Sequence, residues 1–581
     1  MTVQTKPDVA LPVFSTIKPE EIEPKLDQLL HSNRQKIDAL LHQQERFNWE
    51  NLMRPLEDAE DQVHAFWGPI AHLNAVVNSP ALRDAYNACL PRITAHYTAL
   101  SHNQELYAAI GSIGQELEYQ RLNQPQRKVI DNELRDFKLS GIALPEAKKK
   151  YFSELSEKLA RLNAKFEENV LDATQGWTKH ITDEKALAGL PEHAIAAAKQ
   201  AAAQRQQAGW IFTLEIPSYF AVITYADSRT LREEMYSAYC TRASDQGPTA
   251  KRWDNSAVMQ DILKCRHELA HLLGFKNFAE YSLATKMVKT AQQAIDFLNQ
   301  LVDASLPKAR EEFKELSEFA KKELGIKKLA VWDVTYASEK LRQHRYALSQ
   351  EALRPYFPEP QVLQGLFDVV GRLFNIRIEA LKDIDVWHPD VRCFALYDAQ
   401  NELRSYFYFD LYARKNKRGG AWMDDARPRR RLMNGELQLP IAFVTCNFNP
   451  PVGKDPALFS HIDVVTLLHE FGHALQHMLT KIDYADVSGI SGIPWDAVEV
   501  ASQFLENWAW EKESLNLLAR HYKTGAPLPD ELVEKMYNAK NFQSAMLMMR
   551  QLEFALFDMR LHIEFDPYQE NQIQTISSSL Y

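Results

Sequence analysis

Two histidines one helical turn apart, with a carboxylate beside the first, can hold a metal ion and act on water next to it. The chain has this arrangement in DVVTLLHEFGHALQHM, from Asp463 to Met478. His469 and His473 are spaced i, i+4, so both imidazoles leave one face of a helix. Glu470 lies about 100° further round the helix. Two neutral imidazoles suit zinc, and the adjacent carboxylate can take a proton from water that the zinc holds. A zinc ion with one position open to water needs a third protein ligand.

Glu499 is the candidate third ligand. It lies in DAVEVASQFLENWAWE, after a glycine-containing loop, SGISGIPW, from Ser488 to Trp495. Pro494 and Asp496 predict a helix start near Asp496, with Asp496 as its cap or in its first turn. Glu499 then sits one turn in. Val498, Val500, Phe504 and Leu505 predict a largely buried helix, where an unpaired carboxylate is costly and ligation removes the cost. Gln503 and Glu506, at i+4 and i+7 from Glu499, are placed to orient the ligating histidines. Gly472 allows another backbone to approach the first helix closely.

HExxH specifies only three residues. With 18 histidines in 581 residues, chance alone yields the pattern in roughly one such chain in twenty. A second copy, His267 to His271, lies in DILKCRHELAHLLGF and stops at Gly274. No acidic residue on an apolar helix follows it as Glu499 follows His473; Glu280 and Asp296 are the nearest. His267 and His271 are therefore expected to be ordinary helix-face histidines that bind no metal. One zinc per chain is expected, at His469, His473 and Glu499.

The elements that position these residues are mostly helical. From Lys18 to about Leu190, apolar residues recur at three and four, as in IEPKLDQLLHSNRQKIDALL. Glu192 to Ala208 reads as an alanine-rich helix. WIFTLEIPSYFAVITY, Trp210 to Tyr225, breaks the period and predicts a short extended piece, and helices resume at Ser228. Val391 to Tyr397 and Leu403 to Leu411 read as strands joined by a turn, and IAFVTCNF, Ile441 to Phe448, as a third. A mainly α protein with a small antiparallel sheet just upstream of the HExxH helix follows. The Arg427 to Arg431 cluster reads as a solvated loop, and Gly419-Gly420 does not lead from a strand into a helix as a phosphate cradle would.

Composition sets the wider bounds. Charged residues are 25% and hydrophobic residues 45%, as in globular proteins, and a net charge of -10 argues against nucleic acid as a partner. The five scattered cysteines lack CxxC spacing and read as reduced core residues. The first residues show no basic-then-apolar signal, and no apolar run approaches membrane-spanning length. A cytoplasmic protein without a membrane partner is expected.

HEFGHALQHM followed by PWDAVEVASQFLENW, with RASDQGP, ELAHLLGFKNFAEYSLATKM and YFDLYARKNKRGGAWMDD, resembles the thimet-oligopeptidase family of zinc metallopeptidases. The resemblance extends from Phe14 over nearly the whole chain. It implies a two-lobed helical body with a deep central channel and the zinc at its bottom. It implies a zinc metalloendopeptidase that hydrolyses short peptides by Glu470-assisted attack of water, as a monomer. It also implies that IAFVTCNF lies along bound substrate as an edge strand, with Phe443, Thr445 and Asn447 as candidate contacts. His469, His473 and Glu499 match the family's ligands and Glu470 its general base. Gln476 stands where the family commonly has a non-ligating His.

The expected division is an N-terminal helical domain over 14–150, a helical connector over 151–221, and a catalytic domain over 222–581. Family chains continue further, into a Gly-Tyr-rich stretch whose tyrosines bind substrate, and only Tyr568 and Tyr581 stand nearby here. A truncated catalytic domain is thus expected. The alternative is an impaired remnant that binds zinc or peptides without efficient cleavage. Polar Gln569 to Ser579 is expected to fray, and the apolar stripe of Met546 to Phe565 to be exposed.

Overall fold

LRSYFYFDLY has almost no polar alternation, and the fold explains why. The computed structural model describes residues 11–42, 46–115, 117–569 and 571–580. The chain is mostly helical with small sheets. A short ribbon pairs β1 (Thr178–Ile181) with β2 (Trp210–Thr213). The main sheet follows: β3 (Arg377–Ala380), β4 (Arg392–Tyr397), β5 (Leu403–Tyr412) and β6 (Trp422–Arg427). After the two-residue strands β7 (Arg430–Arg431) and β8 (Leu437–Gln438) comes β9 (Ile441–Phe448). The spatial order is β3-β4-β5-β9-β6.

Both faces of this sheet are covered. On β5, Phe407, Phe409 and Leu411 face a core shared with Phe367 of the helix Glu359–Phe374 and Phe471 of the HExxH helix. Tyr406 and Tyr408 face the other way, onto Ile22, Leu26, Val63 and Ile70 of the N-terminal helices. β9 divides likewise, with Val444 and Cys446 on the first side and Ile441 and Phe443 on the second. Strands buried on both faces read as continuous apolar runs.

Two expectations about the sheet are corrected here. It is mixed, because β5 and β9 run parallel while the other pairs are antiparallel. And β9 is not an edge strand: it lies between β5 and β6. Phe443 and Thr445 are buried, and Asn447 Nδ2 donates to the carbonyls of Arg418 (2.9 Å) and Gly420 (2.6 Å). The sheet's two edges are β3 and β6, and the polar WMDDAR of β6 carries no strand signal of its own.

Other departures have local causes. Only Trp210–Thr213 of the 210–225 stretch is extended; Ile216–Tyr225 is a helix with Pro217 in its first turn, where proline favours a helix start. β1 lies near the end of the almost wholly helical stretch from Lys18 to about Leu190. At the other end, Gln572–Ser578 forms a helix rather than fraying, because Ile573 and Ile576 pack against Leu263 and Leu561. Tyr581 lies outside the described residues. On the helix Ser544–Glu564, Leu547, Met548 and Phe554 are exposed, as expected. The five cysteines are free, but Cys240 is exposed rather than core.

The arginine cluster is not a solvated loop. Arg430 is buried and pairs with Asp58 and Asp61 on the helix Arg54–Val76, while Arg429 and Arg431 each hold an oxygen of Asp483 at 2.8 Å. These pairs bind the N-terminal helices to the segment that follows the HExxH helix. Arg430→Ala is expected to cost about 3 kcal/mol, since it strands two partly buried carboxylates. Denaturant unfolding of wild type, Arg430→Ala and Arg430→Lys checks this, and a loss below about 1 kcal/mol would show the pairs to be dispensable.

Candidate metal centre

The HExxH segment forms the helix His461–Met478. Ser460 caps it: its Oγ accepts the Asp463 N–H, and the Asp463 carboxylate accepts the Ser460 N–H. At Gly472 a Cβ would lie 2.6 Å from the Ala501 carbonyl oxygen and 2.7 Å from Ser502 Cα. The helix Glu499–Glu506 therefore crosses directly over this glycine. The crossing brings Glu499 Oε2 to 3.1 Å from His469 Nε2 and 3.4 Å from His473 Nε2. Among the described residues, these three form the one group whose metal-binding atoms all lie within 4.8 Å of one another. Two imidazole nitrogens and a carboxylate oxygen converging on one point are a donor set that fits zinc.

The surroundings prepare the ligands. Burial pushes the His473 pKa down, which keeps it in the neutral, ligating form. His469 Nδ1 lies 2.6 Å from Glu506 Oε1. A proton on Nδ1 donated to that carboxylate leaves the Nε2 lone pair free for a metal. Ser502 Oγ donates to Glu499 Oε2 at 2.7 Å and steadies the third ligand. His473 Nδ1 is buried and without a hydrogen-bond partner among the described residues. Glu470 is buried, and that burial pushes its carboxyl up to about 7, with the Glu499 charge adding. A cation at the three donors would draw it back down.

Several expectations about this region change. Glu499 is the first residue of its helix, not one turn in, and its side chain is 51% exposed. Val500 and Phe504 are exposed too, so the helix buries Leu505 and Ser502 rather than its whole surface. The cost of an unpaired buried carboxylate is therefore not what singles out Glu499. Its position is. Of the two orienting candidates, Glu506 reaches His469, but Gln503 is exposed and its side chain meets neither histidine. Asp496 does not cap its own helix. Its carboxylate accepts the N–H groups of Met287 and Val288, each at 3.0 Å, and anchors the lead-in to Glu499 on a segment about 200 residues away in sequence. No local sequence signal could have disclosed that partner. His267 and His271 stack on each other with ring centroids 4.0 Å apart on the helix Ser256–Leu272.

Two variants probe the arrangement. Glu506→Ala should weaken zinc binding about 10- to 100-fold, with Glu506→Gln in between. Gly472→Ala should destabilise the fold by about 1–3 kcal/mol and loosen zinc, because the two helices must part. Competition titration with a zinc-binding dye measures the first, and thermal unfolding with and without zinc the second. Unchanged affinity in Glu506→Ala would show that His469 needs no orienting partner.

Comparison with known proteins shows the family of the chain. A model of peptidase family M3 matches residues 222–581, and one of the neurolysin/thimet oligopeptidase N-terminal domain matches 26–149. Oligopeptidase A of Salmonella typhimurium is 53% identical over 97% of this chain and 83% of its own length. The organellar oligopeptidase A of Arabidopsis thaliana is 39% identical over 96% of this chain and 72% of its own. Dipeptidyl carboxypeptidase of Escherichia coli is 29% identical over 96% and 81%. An oligoendopeptidase F crystal structure from Bacillus anthracis shares the fold, with a TM-score of 0.56 at 14% identity over 96% of this chain and 81% of that one. A family model covering more than half the chain and a relative 53% identical along nearly all of it identify this protein as a member of peptidase family M3.

Proposed function

We propose that the chain is a zinc-dependent endopeptidase of short peptides, acting as a monomer in the cytoplasm. We further propose that 14–150 and 222–581 are its two domains, joined by 151–221. The single observation that carries the reading is the convergence of His469, His473 and Glu499 beside the buried Glu470 carboxylate. Zinc, when bound there, polarises the scissile carbonyl and lowers the pKa of water. The chain's own residues do the rest. The Glu470 carboxylate takes the proton from the attacking water and delivers it to the nitrogen of the leaving amine. Glu506 keeps His469 oriented throughout, through its Nδ1.

The peptide is read as an added strand on the free edge of β6. Among the described residues that strand pairs in the sheet only with β9, so its other side is open to the backbone of an extended chain. The HExxH helix packs against both β9 and β6, which brings the edge close to the metal ligands.

His469→Ala, His473→Ala and Glu499→Ala should each lose zinc, whereas Glu470→Gln keeps it. Cleavage of a quenched fluorescent peptide by Glu470→Gln should fall about 100- to 10,000-fold, and a chelator should abolish it in the wild type. Full zinc content in Glu499→Ala would sink the ligand assignment. A zinc-loaded wild type that leaves every such peptide intact would sink the catalytic one and favour a peptide-binding role.

A further inference from the structure

A cavity of about 450 Å³ opens beside the proposed peptide edge. Its walls are the helix Arg54–Val76, the helix Gln124–Leu139, β6 and the segment after the HExxH helix. They contribute Glu57 and Glu60, Glu133, Asp425 and Asp486. Positive charge nearby is already engaged. Arg135 holds Asp136 at 2.8 Å, and Arg430 holds Asp58 and Asp61. Glu57 accepts the Ala485 N–H at 2.5 Å, which is not a charge partner. Burial raises the carboxyl pKa values of Glu57 (to about 7), Glu60, Glu133 and Asp486, and neighbouring carboxylates add to the rise. Asp425 has His64 at 4.0 Å and Arg135 also lines the cavity, but among the described residues Glu57, Glu60, Glu133 and Asp486 form no ion pair with a basic side chain.

A second observation concerns the inner end. There the same four acids surround a recess of about 10 Å³, room for about one water, together with Trp49. Trp49 is buried, and its indole N–H has no acceptor among the described residues. A cationic head in the cavity with one bridging water in the recess would partner the whole set: the head donates to the carboxylates and the water accepts from Trp49.

The spacing argues for an organic cation rather than a metal ion. Among the described residues, no three of these oxygens gather within metal-ligand reach, as the donors at His469, His473 and Glu499 do. A guanidinium, with five donors spread in a plane, spans wider carboxylates than a single ion can. The position argues for a peptide as its source. Asp425 lies on the free-edge strand, close to His64, and lines both this cavity and a neighbouring one of about 560 Å³ that runs past Asp424 and Phe443. Ser491, in the loop after the HExxH helix, also reaches the wall. A chain extended along β6 passes the mouth of the cavity.

We propose that this cavity is a subsite for a basic side chain, arginine above all, of the bound peptide. It rests on the peptidase reading and names the substrate class that reading leaves open. The test is a set of quenched fluorescent peptides in which one arginine, or citrulline in its place, is moved along an otherwise neutral sequence. At one position, or two adjacent ones, arginine should raise kcat/KM about tenfold or more over citrulline. The ratio should fall to near one in Glu60→Gln/Glu133→Gln, and should shrink in the wild type between about 50 and 500 mM salt. The salt series keeps the test decisive if the double variant folds poorly. Equal rates for arginine and citrulline at every position would overturn the proposal, as would a preference that survives the double variant. Chelator-sensitive cleavage of the citrulline peptides tests the peptidase reading separately. If none is cleaved, anisotropy of the same labelled pairs on zinc-loaded Glu470→Gln decides the subsite alone: tighter binding of arginine upholds it, and equal binding ends it.

Discussion

The metal centre depends on two helices touching backbone to backbone. Imidazoles reach only a few ångströms from a helix axis, and a glutamate on a second helix can meet them only if that helix comes very close. Gly472 makes this possible, since any side chain there would run into the Ala501 carbonyl. The same solution recurs at the end of the HExxH helix. Gly489, at a φ of +57°, lies so close that a Cβ would be 2.7 Å from His477 Nδ1. The loop between histidines and glutamate is thereby pressed against the helix it leaves. Asp496 fixes the other end of that loop through the Met287 and Val288 amides. Glu499 is exposed enough to move, and these three contacts hold it in place.

The sheet carries this local order to the rest of the molecule. Because β5 and β9 are buried on both faces, one face can hold the HExxH helix while the other holds the N-terminal helices. The ends of these strands are locked by Lys417, which is fully buried. Its Nζ donates to Asp410 Oδ1 and to the carbonyls of Asp410, Tyr412 and Cys446, at 2.6 to 2.9 Å. Burial lowers its pKa to about 8, while Arg414 and Lys417 hold Asp410 down at about 2. Arg414 also donates to the Val76 carbonyl, at the end of the helix Arg54–Val76. A buried charge so completely hydrogen-bonded is costly to break, which favours one fixed register between sheet and helices.

What could be read from the sequence follows from how local each cause is. HExxH spacing and the apolar run of β9 are set by neighbours in the chain, and the structure has both; a glycine at 472 is needed because of the helix Glu499–Glu506, though the residue type alone already allows a close approach. A strand buried on both faces and an edge strand differ in their partners, and the partners of β9 lie elsewhere in the chain. WMDDAR escaped notice because an edge strand has no need of apolar alternation. Glu499 lacks the burial that its apolar neighbours predict, yet it stands beside both histidines. Arg430 reads locally as a solvated loop residue and Asp496 as a helix-start residue, since their partners are roughly 370 and 210 residues away.

The junction between the N-terminal helices and the segment after the HExxH helix treats its acids in two ways. Asp58, Asp61 and Asp483 are met by Arg429, Arg430 and Arg431, and these pairs suffice to join the parts. Glu57 and Glu60 on the same helix as Asp58, Glu133 on the helix Gln124–Leu139 and Asp486 three residues past Asp483 form no ion pair among the described residues. Stability alone gives no reason for the difference. Replacing any of the four by a neutral side chain of similar size would relieve repulsion that the fold now bears. Local rules tend to be broken at sites that serve function, and the loss in stability is carried by the surrounding structure. Here that structure is the arginine knot. It keeps the two parts together while the carboxylates beside it stay open to a charge that the chain itself does not supply.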